Sequence, residues 1–165
     1  MSCKMLIPSQ LITTLRNQEG VEHEAYQDSL GNWSIGVGHR PSYPGEVWTN
    51  AQIDAALTAD VAKAAIDLNR ALPWLETLGE IRWAAMVNQC FNMGLGNLLN
   101  FREELTALQV GDWVGAAHAM QDSEWFKQVP NRVDAICLQI VTDTWVLDYP
   151  DADQVALLEK ALHGG

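Results

Sequence analysis

The chain has 165 residues, 48% hydrophobic and 19% charged, which fills a core without metals or disulfides and excludes a disordered chain. Ten basic against 21 acidic side chains give a formal net charge of −11, which excludes an electrostatic footprint for nucleic acid or an anionic membrane. Three widely spaced cysteines, Cys3, Cys90 and Cys137, form neither a zinc-type nor a redox motif, and Cys90 and Cys137 read as small buried apolar groups.

The stretch before Pro8 offers only Leu6 and Ile7 as an apolar patch, too short for the core of a secretory signal. No apolar run approaches the ~18 to 20 residues needed to cross a bilayer. The expectation is a chain made and folded in a cytoplasm, with passage to any outside substrate left to another agent.

Residues 9 to 19 carry Leu11, Ile12 and Leu15 at helical spacing, with Ser9 as the expected cap and Gly20 as the stop. Glu19 falls in the last turn, where the exposed carbonyls carry roughly half a negative charge. That setting favours the protonated carboxyl, as a general acid requires. From Glu24 to His39 the pattern changes to period two, with Trp33, Ile35 and Val37 on one side of a strand and Ser34, Gly36 and Gly38 on the other. Asp28-Ser29-Leu30-Gly31 has the Asp-first, Gly-last chemistry of a type I turn, so a small hairpin is expected.

Thr49-Asn50-Ala51-Gln52 reads as a capping box opening an Ala-rich helix that runs to Leu72 and stops at Pro73, with a break expected near Thr58. Residues 82 to 93 are apolar nearly all round, as befits a helix at the centre of a bundle. Further helices are expected over 101 to 109, over 112 to 121, and from Pro130 onward, where Val133, Ile136, Cys137, Ile140 and Val141 form a stripe. After Tyr149-Pro150 a short helix with Val155, Leu158 and Leu162 ends at Gly164-Gly165. Of the seven tryptophans, Trp83 and Trp145 read as core, and packing is the default for most of the others.

Hydrolysis of a glycoside by two carboxyls needs one protonated group to donate to the leaving oxygen and one ionised group to steer water or attack the sugar. Glu19 fits the acid and Asp28 the anion, facing each other across a chain reversal. Spacing alone leaves open an ordinary helix-end residue at 19 and a turn-former at 28.

Leu15-Arg16-x-x-Glu19-Gly20, Ala25-Tyr26-x-Asp28 and Gly31-x-x-Ser34-Ile35-Gly36-x-Gly38-His39 resemble the opening motif of the phage-type lysozymes, the muramidase endolysins of glycoside hydrolase family 24. Arg82-x-Ala84-Ala85, Phe91-Asn92-Met93-Gly94 and Trp125-Phe126-x-Gln128-x-Pro130-Asn131-Arg132 look like that family's central and C-terminal helices in the same order. The resemblance spans roughly residues 11 to 149.

It implies an α+β, predominantly helical, bilobal lysozyme-like fold. A small part-β lobe over 20–57 and a connecting helix over 58–72 would be followed by a helical lobe over 73–149 that includes the N-terminal helix 9–19, with 150–165 as an extension. It also implies cleavage, with inversion, of the bond between N-acetylmuramic acid and N-acetylglucosamine in peptidoglycan, without a cofactor or metal. The family's catalytic Glu, Asp and Thr map onto Glu19, Asp28 and Ser34. Serine keeps the oxygen but loses the methyl that restricts the rotamer, which predicts a lower rate. Arg132 occupies the place of an arginine that approaches the catalytic Glu in similar lysozymes, and Asn92 that of a sugar-reaching glutamine. Read alone, Arg132 is a surface residue and Asn92 a satisfied core amide. His39 is expected to make a structural hydrogen bond in support of the site.

With no secretory signal read, the resemblance fits a chain held in the host cytoplasm until a holin-made lesion releases it to the cell wall, or else a virion-associated lysozyme; a monomer is the default expectation. The acidic charge and the segment after Tyr149 depart from the family pattern and are compatible with action inside a virion or with a partner. The rival readings are a weak or inactive module that binds glycan or protein, and a hydrolase of another amino-sugar polymer such as chitin.

Overall fold

The computed structural model describes residues 6–164. Cys3, most of the stretch read for a secretory signal, and Gly165 lie outside the described residues. In chain order the elements are α1 (Ser9–Glu19), β1 (Glu22–Gln27), β2 (Trp33–Gly36), α2 (Asn50–Ala71), a 3-10 helix (Pro73–Leu78), α3 (Glu80–Met93), α4 (Leu95–Leu98), α5 (Arg102–Gln109), α6 (Trp113–Gln121), α7 (Glu124–Gln128), α8 (Pro130–Thr142) and α9 (Ala152–His163). One two-stranded antiparallel sheet among helices makes the fold α+β and predominantly helical, as expected. The chain divides into two compact units, one running to Lys63 and the other starting at Ala64.

In the first unit α1 stops where glycine permits it. Gly20 takes a φ of 76° and its N–H closes on the Arg16 carbonyl at 3.1 Å. The expected cap is different: Pro8 holds the N-cap position, its carbonyl accepts from the Leu11 and Ile12 amides, and the Ser9 hydroxyl turns to Gln10. Arg16 binds the Asp54 carboxylate and reaches Asn50 at 3.3 Å, which ties the end of α1 to the opening turns of α2. The capping box forms as read, with the Thr49 N–H on Gln52 at 2.8 Å and the Gln52 N–H on the Thr49 hydroxyl at 3.2 Å. No break occurs near Thr58. α2 runs unbroken from Asn50 to Ala71, because its Ala-rich sequence contains neither proline nor glycine to interrupt the ladder.

β1 and β2 pair antiparallel, Tyr26 opposite Ser34 and Gln27 opposite Trp33, with a register shift before Glu22 meets Gly36. The period-two strand ends at Gly36 rather than His39. Positive φ at Gly36 (66°) and Gly38 (72°) folds the chain back, so that His39 bridges Ile35 through bonds of 2.8 and 3.0 Å. A Cβ at Gly36 would sit 3.3 Å from the Trp48 ring, so both the dihedral and the close approach require glycine.

In the second unit α3 buries Trp83 through Cys90 in an unbroken run, as the all-round apolar sequence predicts, and packs on the 3-10 helix, α4 and α8. The Trp83 indole donates to Asn69 at 2.7 Å, so the largest core side chain satisfies its one polar atom. α8 starts with Pro130 at its first turn and buries Val133, Ile136, Cys137 and Ile140. Trp145 is only partly buried, Val146 taking the core position beside it. The 3-10 helix, α4 and α7 were not anticipated, being too short to show a periodicity. α9 is built into this unit. It packs on α6 and α8, buries Leu158 and Leu162, and opens with a capping box between Asp151 and Gln154.

This core also buries a carboxyl. Glu104 on α5 is 0% exposed, and its carboxylate accepts from Gln89 of α3 at 3.0 Å. Burial raises its pKa from 4.5 to about 8, an effect only partly offset by the Gln89 bond. Between those two values the native chain keeps a proton that the unfolded chain releases, so stability falls as pH rises from about 4.5 to about 8. The Glu104→Gln variant should therefore unfold at higher urea than the parent at pH 8 and show a flatter profile across that window. Urea titrations at pH 5 and pH 8 measure both effects.

Candidate active site

The three residues read as catalytic all lie in the first unit. Glu19 is the last residue of α1 and is exposed. Its place is fixed by the Gly20 turn after it and by the anchor of Arg16 to Asp54 one turn before. Asp28 is the first residue beyond β1, and Ser34 is the second residue of β2, half-buried and paired with Tyr26. The hairpin therefore holds Asp28 and Ser34 at one end of the same two-stranded ladder.

The Asp28 side chain is held by several donors. One of its oxygens, Oδ1, accepts from the Leu30 amide at 2.9 Å and the Asn32 amide at 2.8 Å, and Oδ2 faces the Asn32 side-chain amide at 3.4 Å. The backbone closes the same turn twice, with the Asp28 N–H on the Asn32 carbonyl at 2.9 Å and the Gly31 N–H on the Asp28 carbonyl at 3.0 Å. These donors hold the carboxyl below its ordinary 3.8, the Asn32 amide contributing most, against a smaller opposing effect of desolvation. Asp28 is thus an exposed, oriented anion, the form in which a carboxylate accepts a proton from water.

The supporting residues divide between the units. His39 Nδ1 lies 2.8 Å from Asp60 Oδ2, and its ring stands 5.2 Å from that of Trp48, so it has the structural partner expected of it. In the second unit Asn92 is half-buried and its side-chain oxygen accepts from the Trp125 indole at 2.7 Å. Its acceptor is engaged in holding α7 against the end of α3. Arg132, in the first turn of α8, is buried rather than on the surface where its charge alone would put it. Among the described residues no cluster of three or more His, Cys, Asp or Glu side chains is placed to hold a metal ion.

Asn32 carries two of the bonds to the Asp28 side chain, and Asp60 and Trp125 are the partners of His39 and Asn92. The Asn32 part had a signal, since Asx turns place an Asp oxygen on amides two or more residues ahead. The two long-range partners had none.

The phage lysozyme family matches residues 16–137, a span that contains the α1 terminus, the hairpin and the Asn92 and Arg132 positions. The chain belongs to the phage lysozyme family. It is similar to a probable T4-type lysozyme 1 of Dictyostelium discoideum, 28% identical over 163 residues, covering 82% of this chain and 96% of that one. An endolysin of Acyrthosiphon pisum secondary endosymbiont phage 1 is 30% identical over 114 residues, 68% of this chain and 76% of the relative. The pre-baseplate central spike protein Gp5 of Enterobacteria phage T4 is 28% identical over 155 residues, which cover 78% of this chain but 27% of that protein.

The backbone amides dominate the state of Asp28. Replacing Asn32 with Ala should leave the Asp28 carboxyl titrating below the ordinary range, because both backbone donors survive. Asn32→Pro, which deletes the largest of them, should move the titration upward. Carbon-13 NMR of the carboxyl signals through pH 2 to 6 reads the difference directly.

Proposed function

We propose that the protein hydrolyses peptidoglycan, cleaving the β-1,4 bond between N-acetylmuramic acid and N-acetylglucosamine with inversion. Glu19 donates a proton to the leaving oxygen while Asp28 takes a proton from the water that attacks the anomeric carbon from the opposite face. Ser34 orients that water. The observation that carries this reading is the Asp28 carboxylate, exposed yet fixed by the Leu30 and Asn32 amides and held in its ionised form. A plain turn-forming aspartate needs neither a family motif around it nor a hydroxyl on the paired strand.

His39 supports the site through Asp60. The role that fits the endolysin relative is lysis of a bacterial host from within, the chain waiting in the cytoplasm as a monomer and reaching the wall through a holin-made lesion. No described helix is long and apolar enough to cross a membrane. The likeness to a phage spike protein supports a second placement, in the virion, with the same chemistry.

On purified peptidoglycan the parent chain should release fragments with new reducing ends at muramic acid, first as the α-anomer. Glu19→Gln and Asp28→Asn should each lower the rate by at least about 100-fold, the ordinary span of general acid–base catalysis. Ser34→Ala should slow turnover and Ser34→Thr should raise it, since the added methyl narrows the hydroxyl's rotamers. Binding without fragments in the parent chain would establish a glycan-binding module instead.

A further inference from the structure

Glu104 is fully enclosed, yet half of its carboxyl is unanswered. Oε2 accepts from the Gln89 amide of α3 at 3.0 Å, whereas Oε1 has no hydrogen-bond partner among the described residues. The Gln89 side-chain oxygen has none either. Burying a polar atom in this way is costly, and such an atom in a native core calls for a role. The proposed hydrolysis does not use it, because Glu104 belongs to the second unit and the candidate acids to the first.

Glu104 borders a cavity of about 420 Å³ between the start of α5 and the end of α6, which it lines with Phe101, Arg102, Glu103, Ala119 and Asp122. That volume falls in the ~300–1,000 Å³ range of small-ligand sites. No lining residue comes from α3, so the bond to Gln89 commits Oε2 to a helix outside the cavity and leaves Oε1 uncommitted. Phe101 and Ala119 supply the apolar part of the wall. The Phe101 ring is braced edge-on against Trp125 at 6.1 Å, and the Trp125 indole is itself fixed to Asn92 at 2.7 Å.

Charge selects the occupant. Glu103 and Asp122 are exposed acids on the rim, against one guanidinium, Arg102. The last turn of α6 brings the negative end of a helix dipole to the same wall. The first turn of α5, which would attract an anion, already carries Glu103 and Glu104. The acids are not grouped to hold a metal ion. We propose that this cavity binds a small organic cation, a primary ammonium on an apolar stem, with the ammonium donating to Asp122 and Glu104 and the stem lying against Phe101 and Ala119. Burial keeps Glu104 protonated up to about pH 8 in the empty cavity, and a cation beside it favours the carboxylate, so binding releases a proton. The ionisable groups that face Glu104 are Arg102, Glu103 and Asp122 around the cavity and the Cys137 thiol of α8, which Glu104 helps to raise. The 3-10 helix packed on α5 adds one acid, Glu76, and α3 meets Glu104 with the neutral Gln89.

The test titrates 2-phenylethylammonium into the intact chain at pH 5 and pH 8, followed by nitrogen-15 spectra and by the carbon-13 signal of the Glu104 carboxyl. Like the lysine side chain, this ammonium stays charged across that range. Its neutral counterpart is 2-phenylethanol. The expected result is a shift of the Glu103, Glu104 and Asp122 amides, with binding roughly tenfold tighter at pH 8 than at pH 5 and the Glu104 titration displaced downward by about one unit. The alcohol should bind at least about tenfold more weakly. Glu104→Gln substitutes a neutral amide for a neutral acid, and it should bind the cation equally at both pH values. Asp122→Asn, a change at the exposed rim, should weaken binding at both. Absence of shifts at these amides overturns the site, and equal binding of the alcohol reduces it to an apolar hollow with no claim on a cation. A parent affinity that ignores pH, or a pH dependence that survives in Glu104→Gln, removes the buried carboxyl from the site and overturns the proposal as well.

Discussion

Two backbone amides, those of Leu30 and Asn32, converge on one oxygen of Asp28, and much of the first unit is arranged to make that convergence possible. A carboxylate that accepts from the main chain cannot swing away without leaving two donors unmet. The turn therefore fixes the anion, and the anion in turn fixes the turn. The register that follows places Trp33 opposite Gln27 and Ser34 opposite Tyr26, so the clamp decides which residue of β2 stands next to the charge. Because the donors are main-chain groups, the arrangement tolerates changes in side chain at 30 and 32 more readily than changes in backbone.

Glu19 reaches its position by different means. Its location depends on where a helix ends, and that is set by Gly20 on one side and by Arg16 on the other, held to Asp54 in α2. The two acids are thus mounted on independent supports, one a helix terminus and the other a hairpin mouth. His39 and Asp60 add a further tie between the glycine turn and α2. The second unit treats its polar residues in the same manner, giving them specific partners: Trp125 for Asn92, Asn69 for Trp83, and the Ile81 carbonyl for Gln139.

Legibility in the sequence followed the distance over which each signal acts. The end of α1 at Gly20, the capping box at Thr49 and Gln52, the Asp28 turn and the apolar run of α3 were readable because each is written within a few residues. The reversal at Gly36 was misread as continued strand, since alternation looks the same whether the chain runs on or folds back, and only the positive φ of two glycines distinguishes the cases. The break near Thr58 failed to appear because a lone threonine weakens a helix without ending it. Partners far apart in sequence, such as Asp60 for His39, Trp125 for Asn92 and Gln89 for Glu104, leave no local trace.

The two described thiols carry a practical consequence. Cys90 on α3 and Cys137 on α8 are buried in helices that pack together, and burial raises the first to about 11 and the second well above its ordinary 9.0. Alkylating reagents attack the thiolate, so both sulfurs react slowly while the helices stay closed. Their modification becomes an intrinsic clock for the opening of that core, Cys90 reporting on its cover by α2 and Cys137 on its cover by α6, without any label having been introduced.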